Sequence, residues 1–230
     1  MSRMIWQQAN LAILELAAAA LEPVLPELAL VGGCAVGILI TDETRPEVRA
    51  TIDVDLVAEV TTYTGYEELC NKLRCLGFQD GDIVCRFKRG SLIVDVVPIE
   101  ESILGFGNPW FEPAARDAAF YTLPSGRTIR HVTAPYLLAT KLGAFSGRGN
   151  GDYLHHDIED IVNLIDGRPS VVDEVVALGG AVREYIEDQF DALLADVAFA
   201  DSMPSHFHPS EDHSVRIPLL LGRMRRLAGL

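Results

Sequence analysis

Residues 28–60 read LALVGGCAVGILITDETRPEVRATIDVDLVAEV, and the order of residue types in this stretch leaves few ways to fold it. The apolar run at 28–31 predicts a short strand, Gly32-Gly33 a turn, 34–40 a brief helix, and 41–48 a polar loop. A second strand then carries Asp53 and Asp55. Side chains two apart on a strand point to the same side, so both carboxylates share a face. Like charges held that close need a counter-charge, so the pair either faces open water or holds a cation. Ile52, Val54, Leu56 and Val57 around them favour a strand packed on at least one side. Asp95 sits in the apolar run Ser91-Leu-Ile-Val-Asp-Val-Val-Pro98, where an unpaired acid is costly to bury. Three carboxylates on neighbouring strands around divalent ions account for all three positions, and an oxygen-only ligand set suits Mg²⁺. On its own, however, D-x-D is a short motif that recurs by chance in acidic chains.

The order Gly-Gly, helix, D-x-D strand and later strand-borne Asp resembles the nucleotidyltransferase superfamily that includes DNA polymerase β, with Gly32, Gly33, Asp53, Asp55 and Asp95 in the signature places. Nineteen residues separate Gly33 from Asp53, more than the usual spacer, and a surface loop over 41–48 absorbs the excess at little entropic cost. Arg49-x-Thr51-x-Asp53-x-Asp55 is similar to the R-x-[S/T]-x-D-x-D form of the AbiEii toxin family. Lys141-Leu-Gly-Ala-Phe-Ser-Gly-Arg148 is similar to its K-L-x-A-x-x-x-R motif, and Asp157-Ile-Glu-Asp160-Ile161 to its D-x-x-D-[I/L] motif. The four motifs stand in family order over residues 28–168.

The resemblance implies a metal-dependent transferase. Asp53, Asp55 and Asp95 would hold two Mg²⁺ ions, and Lys141 would contact the triphosphate. Asp160 would act as a further catalytic or network residue. Gly32, Gly33, Arg49, Thr51, Arg148 and Asp157 would line the nucleotide site. It further implies a nucleoside triphosphate as substrate, RNA (tRNA) as acceptor, and a cognate antitoxin protein as partner in a toxin–antitoxin pair. Two other readings stay open: transfer to a small molecule such as an antibiotic, and a non-catalytic binding or regulatory protein that keeps the fold.

The net charge of −14 tells against nucleic-acid binding through a broad basic surface. An RNA acceptor therefore needs a local basic patch or a metal bridge. Cys34, Cys70, Cys75 and Cys85 form no C-x-x-C pair and have no histidines at zinc spacing, so reduced thiols in a cytoplasmic protein are expected. The N-terminus faintly mimics a secretory signal, but Glu15 interrupts its apolar run and Trp6, Gln7, Gln8 and Asn10 precede it, which favours an amphipathic helix over 1–21. No apolar run is long enough to span a membrane.

Farther along, helical spacing over 63–76 ends at Gly77, and strands over 82–88 and 91–97 flank an Arg89-Gly90 turn that presents Asp95. Residues 100–116 read as a loop in which Trp110 and Phe111 either pack or stack on a base. A second hairpin over 120–132 carries Arg127, Arg130 and His131, either a basic patch or a solvated face. A helix opening at Ala134-Pro135 places Lys141 in or beside its apolar stripe, where periodicity alone reads it as structural. Arg148 falls in a Gly-rich loop, and Asp152 is a possible N-cap for a helix over 155–166.

A helical stretch over 171–198, broken at Gly179-Gly180, precedes a last helix with Arg223, Arg225 and Arg226. His206, His208 and His213, with Asp212, lie in the Pro-rich segment between them, a surface loop or a transition-metal site. The fold expected is α/β (α+β): a nucleotidyltransferase-fold mixed sheet flanked by helices over 1–133, with a helical C-terminal part over 134–230 that contributes to the active site.

Overall fold

The computed structural model describes residues 3–42, 49–209 and 211–230. The chain divides into two compact units, Met1–Ile38 with Glu47–Thr133, and Leu39–Pro46 with Ala134–Leu230.

Among the described residues of the first unit, seven strands form one mixed sheet. They are β1 (Leu28–Leu30), β2 (Val54–Ala58), β3 (Gln79–Asp80), β4 (Arg86–Arg89), β5 (Leu92–Pro98), β6 (Ala119–Thr122) and β7 (Thr128–His131). Their spatial order is β3-β4-β5-β2-β1-β7-β6. The central strands β1, β2 and β5 are the most apolar, as expected of strands covered on both faces. Strand β2 lies antiparallel to β1 and parallel to β5, with Asp55 directly opposite Asp95. Gly90, at φ +61°, makes the tight β4–β5 turn, which sets Arg86 opposite Asp95.

Helix α1 (Arg3–Ala20) packs on β2 and β5 through the side of the helix that carries Leu14, Ala17 and Ala18. Helix α2 (Gly32–Leu39) follows β1 directly, and α3 (Tyr63–Cys75) connects β2 to the β3–β5 meander. Thr62 caps α3 by accepting from the Gly65 amide. Residues 100–116, expected as a loop, contain a 3₁₀ turn (Glu101–Ile103) and the short helix α4 (Phe111–Arg116). The strand expected over 82–88 is shorter, since 82–85 form a bend and turn before β4. The two-residue β3, which the sequence does not signal, pairs with β4.

The second unit is helical in its described residues: α5 (Ala134–Arg148), α6 (His156–Gly167), α7 (Val171–Leu178), α8 (Gly180–Ala195), α9 (Val197–Ser202) and α10 (His213–Leu227). Helix α5 packs on α6, α7 and α8, and α10 packs on the same three. The break expected at Gly179-Gly180 is present, with both residues at positive φ. The amides of Thr41 and Asp42 both donate to the Gly167 carbonyl, which ties the chain after α2 to the end of α6. Most of the loop expected over 41–48 falls on residues 43–48, outside the described residues. No described helix is long and apolar enough to cross a membrane. Cys34, Cys70 and Cys85 are buried and Cys75 is exposed.

Candidate active site

Gly32 opens α2 at φ +68°, and a Cβ built there would run into the carboxylate of Asp55. The turn therefore brings bare backbone against the acid, a close approach only glycine permits. From the other side, the Val31 amide donates to the Asp55 carbonyl at 2.9 Å. Gly32→Ala is expected to cost about 1–3 kcal/mol in backbone strain and to push Asp55 out of place. A melting curve and a transfer assay check this together, and an unchanged melting temperature would contradict it.

Asp53 stands one residue before β2, Asp55 within it, and Asp95 in the middle of β5. The approach to β2 is held from α1 and α2. The Thr51 amide donates to Asn10 Oδ1 at 3.0 Å, and Asn10 Nδ2 donates to the Arg49 carbonyl at 3.1 Å. Cys34 Sγ lies 2.8 Å from Thr51 Oγ1. The Thr51 side chain and the Arg49 backbone are thus engaged in fixing the strand that presents Asp53. Asn10, one of the few buried polar groups, was not singled out in the sequence, because an N-terminal amide carries no motif.

Arg86 belongs to no sequence motif. Its Nε donates to Asp95 Oδ1 at 2.8 Å, and one terminal nitrogen donates to Asp95 Oδ2 and Asp53 Oδ2, each at 2.7 Å. The guanidinium thus binds Asp95 through two nitrogens and bridges it to Asp53, the strongest geometry available to a carboxylate–arginine pair. These bonds raise the already high pKa of Arg86 despite the burial opposing them. The donor set fits a hard divalent cation: three carboxylates on or beside neighbouring strands, oxygen only. The Arg86 guanidinium is a counter-charge shared by Asp53 and Asp95.

In the second unit, Lys141 on α5 reaches Asp157 Oδ1 at 3.1 Å and Asp160 Oδ2 at 2.6 Å on α6. Arg148 donates from Nε to Asp157 Oδ2 and from a terminal nitrogen to Asp157 Oδ1, both at 2.9 Å. Two cations meet two acids, and the Asp157 and Asp160 side chains are 0% and 1% exposed. Arg148, expected in a loop, is instead the last residue of α5. His155 rather than Asp152 caps α6, its Nδ1 accepting from the Asp157 amide at 3.2 Å. Lys141, Arg148, Asp157 and Asp160, the residues named by the resemblance in this unit, assemble as one cluster.

Burial alone would raise the pKa of Asp157, but hydrogen bonds from Arg148 and the charge of Lys141 outweigh it and hold the carboxyl at about 2. A carboxyl depressed from 3.8 contributes stability that is complete above about pH 4 and is lost as the pH falls toward 2. Acid unfolding of the full chain, followed by circular dichroism, should show this loss, and Arg148→Gln should shift it to higher pH. Identical acid profiles for the two proteins would contradict the assignment.

His155, His156 and Asp157 bring ligand atoms within 4.8 Å of one another, a spacing compatible with a metal ion. Both Asp157 oxygens already accept from cations, however, and His155 Nδ1 is used by the cap. Burial pushes the His156 imidazole below its ordinary pKa.

The other candidates have structural duties. His206 Nε2 lies 2.9 Å from the Tyr153 carbonyl and His213 Nε2 lies 3.0 Å from that of His208. Arg223 donates to the carbonyls of Ile165 and Asp166 at the end of α6, and Arg226 pairs with Asp173. In the first unit Arg130 bonds to the Pro26 and Ala115 carbonyls and to Glu59. Arg127 pairs with Glu22. Arg223 and Arg130 are thus tied to backbone carbonyls, whereas Arg226 and Arg127 make exposed surface pairs.

No family model matches the chain, and no curated protein matches it. Among solved structures, the crystal structure of an antigenic nucleotidyltransferase-like protein from Paracoccidioides brasiliensis is similar, with a TM-score of 0.50 over 90% of this chain and 96% of that one, at 16% identity. At that identity the likeness is one of fold. The mixed seven-stranded sheet with flanking helices is an α/β fold like that of this neighbour.

Proposed function

We propose that this chain is a metal-dependent nucleotidyltransferase that moves a nucleoside monophosphate from a nucleoside triphosphate to an acceptor hydroxyl. The observation that carries the reading is the register of Asp55 against Asp95 on adjacent parallel strands, with Asp53 beside them and the bare Gly32 backbone against Asp55. That arrangement in a nucleotidyltransferase-like fold favours chemistry over a purely structural role for three costly acids. Asp53, Asp55 and Asp95 would hold Mg²⁺, which supplies charge neutralisation for the phosphates when bound. The acceptor oxygen attacks the α-phosphorus, the bond to the β-phosphate oxygen breaks, pyrophosphate leaves, and a carboxylate of the trio accepts the hydroxyl proton.

In the second unit, Arg148 is 58% exposed while paired with Asp157, and we assign it to binding an anion from solvent. Lys141 and Asp160 are positioning residues that keep the Asp157–Arg148 pair in place. The motif order from Gly32 to Ile161 supports an AbiEii-like enzyme acting on RNA such as tRNA, controlled by an antitoxin protein. The net charge of −14 favours instead a small hydroxylated acceptor, such as an antibiotic. Purified protein incubated with Mg²⁺, each labelled triphosphate in turn and total RNA, then resolved on a gel, separates these. Label on a tRNA-sized band, lost in Asp55→Ala, supports the RNA reading. Metal-dependent nucleotide binding without labelled RNA supports the small-molecule acceptor, and no nucleotide binding leaves a non-catalytic binding protein.

A further inference from the structure

Arg86 enters neither the motif order nor the reaction just described, yet it makes the strongest polar contacts in the carboxylate group. Three donated bonds of 2.7–2.8 Å join it to Asp53 and Asp95, and its side chain is 23% exposed against 30% and 12% for the two acids. Its position is fixed by the sheet: the β4–β5 hairpin sets Arg86 opposite Asp95, and β2 pairs on the far side of β5. A guanidinium is always charged and matches a carboxylate edge with two parallel donors. A divalent ion held by Asp53 and Asp95 would meet this guanidinium at the same two carboxylates.

We propose that Arg86 is a resident counter-ion of the carboxylate site, which holds Asp53 and Asp95 in place while the metal is away and which competes with a divalent cation for them. This rests on the reading of Asp53, Asp55 and Asp95 as metal ligands. A guanidinium and a divalent ion on the same carboxylates repel each other, and each weakens the other's hold by the same factor. An anion that draws the guanidinium away therefore favours metal binding. A triphosphate is such an anion, so metal and nucleotide should bind with positive cooperativity. Arg86 is on this account a positioning residue that makes the metal site responsive to substrate.

The test is binding of Mn²⁺ to the full-length protein, measured by the electron paramagnetic resonance signal of the free ion. It is carried out on wild type, Arg86→Gln and Asp55→Asn without nucleotide. The expected result is at least about tenfold tighter binding in Arg86→Gln than in wild type, with binding lost in Asp55→Asn. A second measurement needs no altered protein: the Arg86 Nε–H resonance of arginine-labelled wild type should shift when Mg²⁺ is added. Arg86→Lys, which keeps the charge, assigns that resonance by its disappearance. Wild type that binds Mn²⁺ with the same or higher affinity than Arg86→Gln, or an Arg86 resonance indifferent to saturating Mg²⁺, overturns the inference and leaves the metal reading standing. Absence of Mn²⁺ binding in wild type and Arg86→Gln alike overturns both.

Discussion

Asp55→Ala should abolish nucleotidyl transfer, with a loss of roughly a thousandfold or more, while the protein stays folded. The two halves of that expectation have different causes. Asp55 sits opposite Asp95 and against the Gly32 backbone, so its carboxylate cannot be replaced from a neighbouring position. The ladder that holds β2, by contrast, is made of backbone bonds to β1 and β5 and of the buried side chains of Val54, Leu56 and Val57, none of which the substitution touches. Removing one of three clustered negative charges relieves repulsion, so the melting temperature should hold or rise. Asp53→Ala should behave alike in activity but not in stability, because it strips Arg86 of one partner. Steady-state transfer rates beside melting curves check both, and wild-type activity in folded Asp55→Ala would refute the assignment.

Lys141→Ala is expected to be the most destabilising single change in the charged cluster, by about 3–5 kcal/mol. Lys141 is 9% exposed and the acids it pairs with are nearly inaccessible, so its loss leaves buried carboxylates short of a cation. The cost is the penalty of the orphaned charge rather than the worth of the pair. Neutralising one acid at the same time should therefore recover part of it, and Lys141→Met with Asp160→Asn should melt higher than Lys141→Met alone. Equal melting temperatures for the two would contradict this account. Any activity lost in a Lys141 variant has to be read against its melting curve, since the structure gives this lysine a stabilising duty whatever it does for substrate.

The centre of the sheet was legible because its signals are local. Gly32-Gly33, the period-two runs around Asp55 and Asp95, and the Arg89-Gly90 turn each fix geometry within a few residues, and β1, α2, β2, β4 and β5 follow them. Arg86 was legible in principle: a tight turn at Gly90 dictates the pairs down the hairpin, and counting back from the turn puts Arg86 opposite Asp95. The strand β3 was not, because two residues hold strand geometry only through their pairing with β4. Arg148 was misplaced because Ser146-Gly147 reads as a helix breaker. Packing of α5 on its neighbours outweighs the roughly 1 kcal/mol that glycine costs a helix. Asp152 is the favoured cap by residue type, and only the path of the chain gives the position to His155.

The most direct measurement is pyrophosphate release by wild type and Asp55→Ala side by side. Each is supplied with Mg²⁺, all four nucleoside triphosphates, and pooled RNA or pooled small hydroxylated acceptors. The account predicts acceptor-dependent release by wild type and none above background from an Asp55→Ala protein of equal melting temperature. Equal release from the two proteins, or none from wild type with any donor and acceptor, would contradict it.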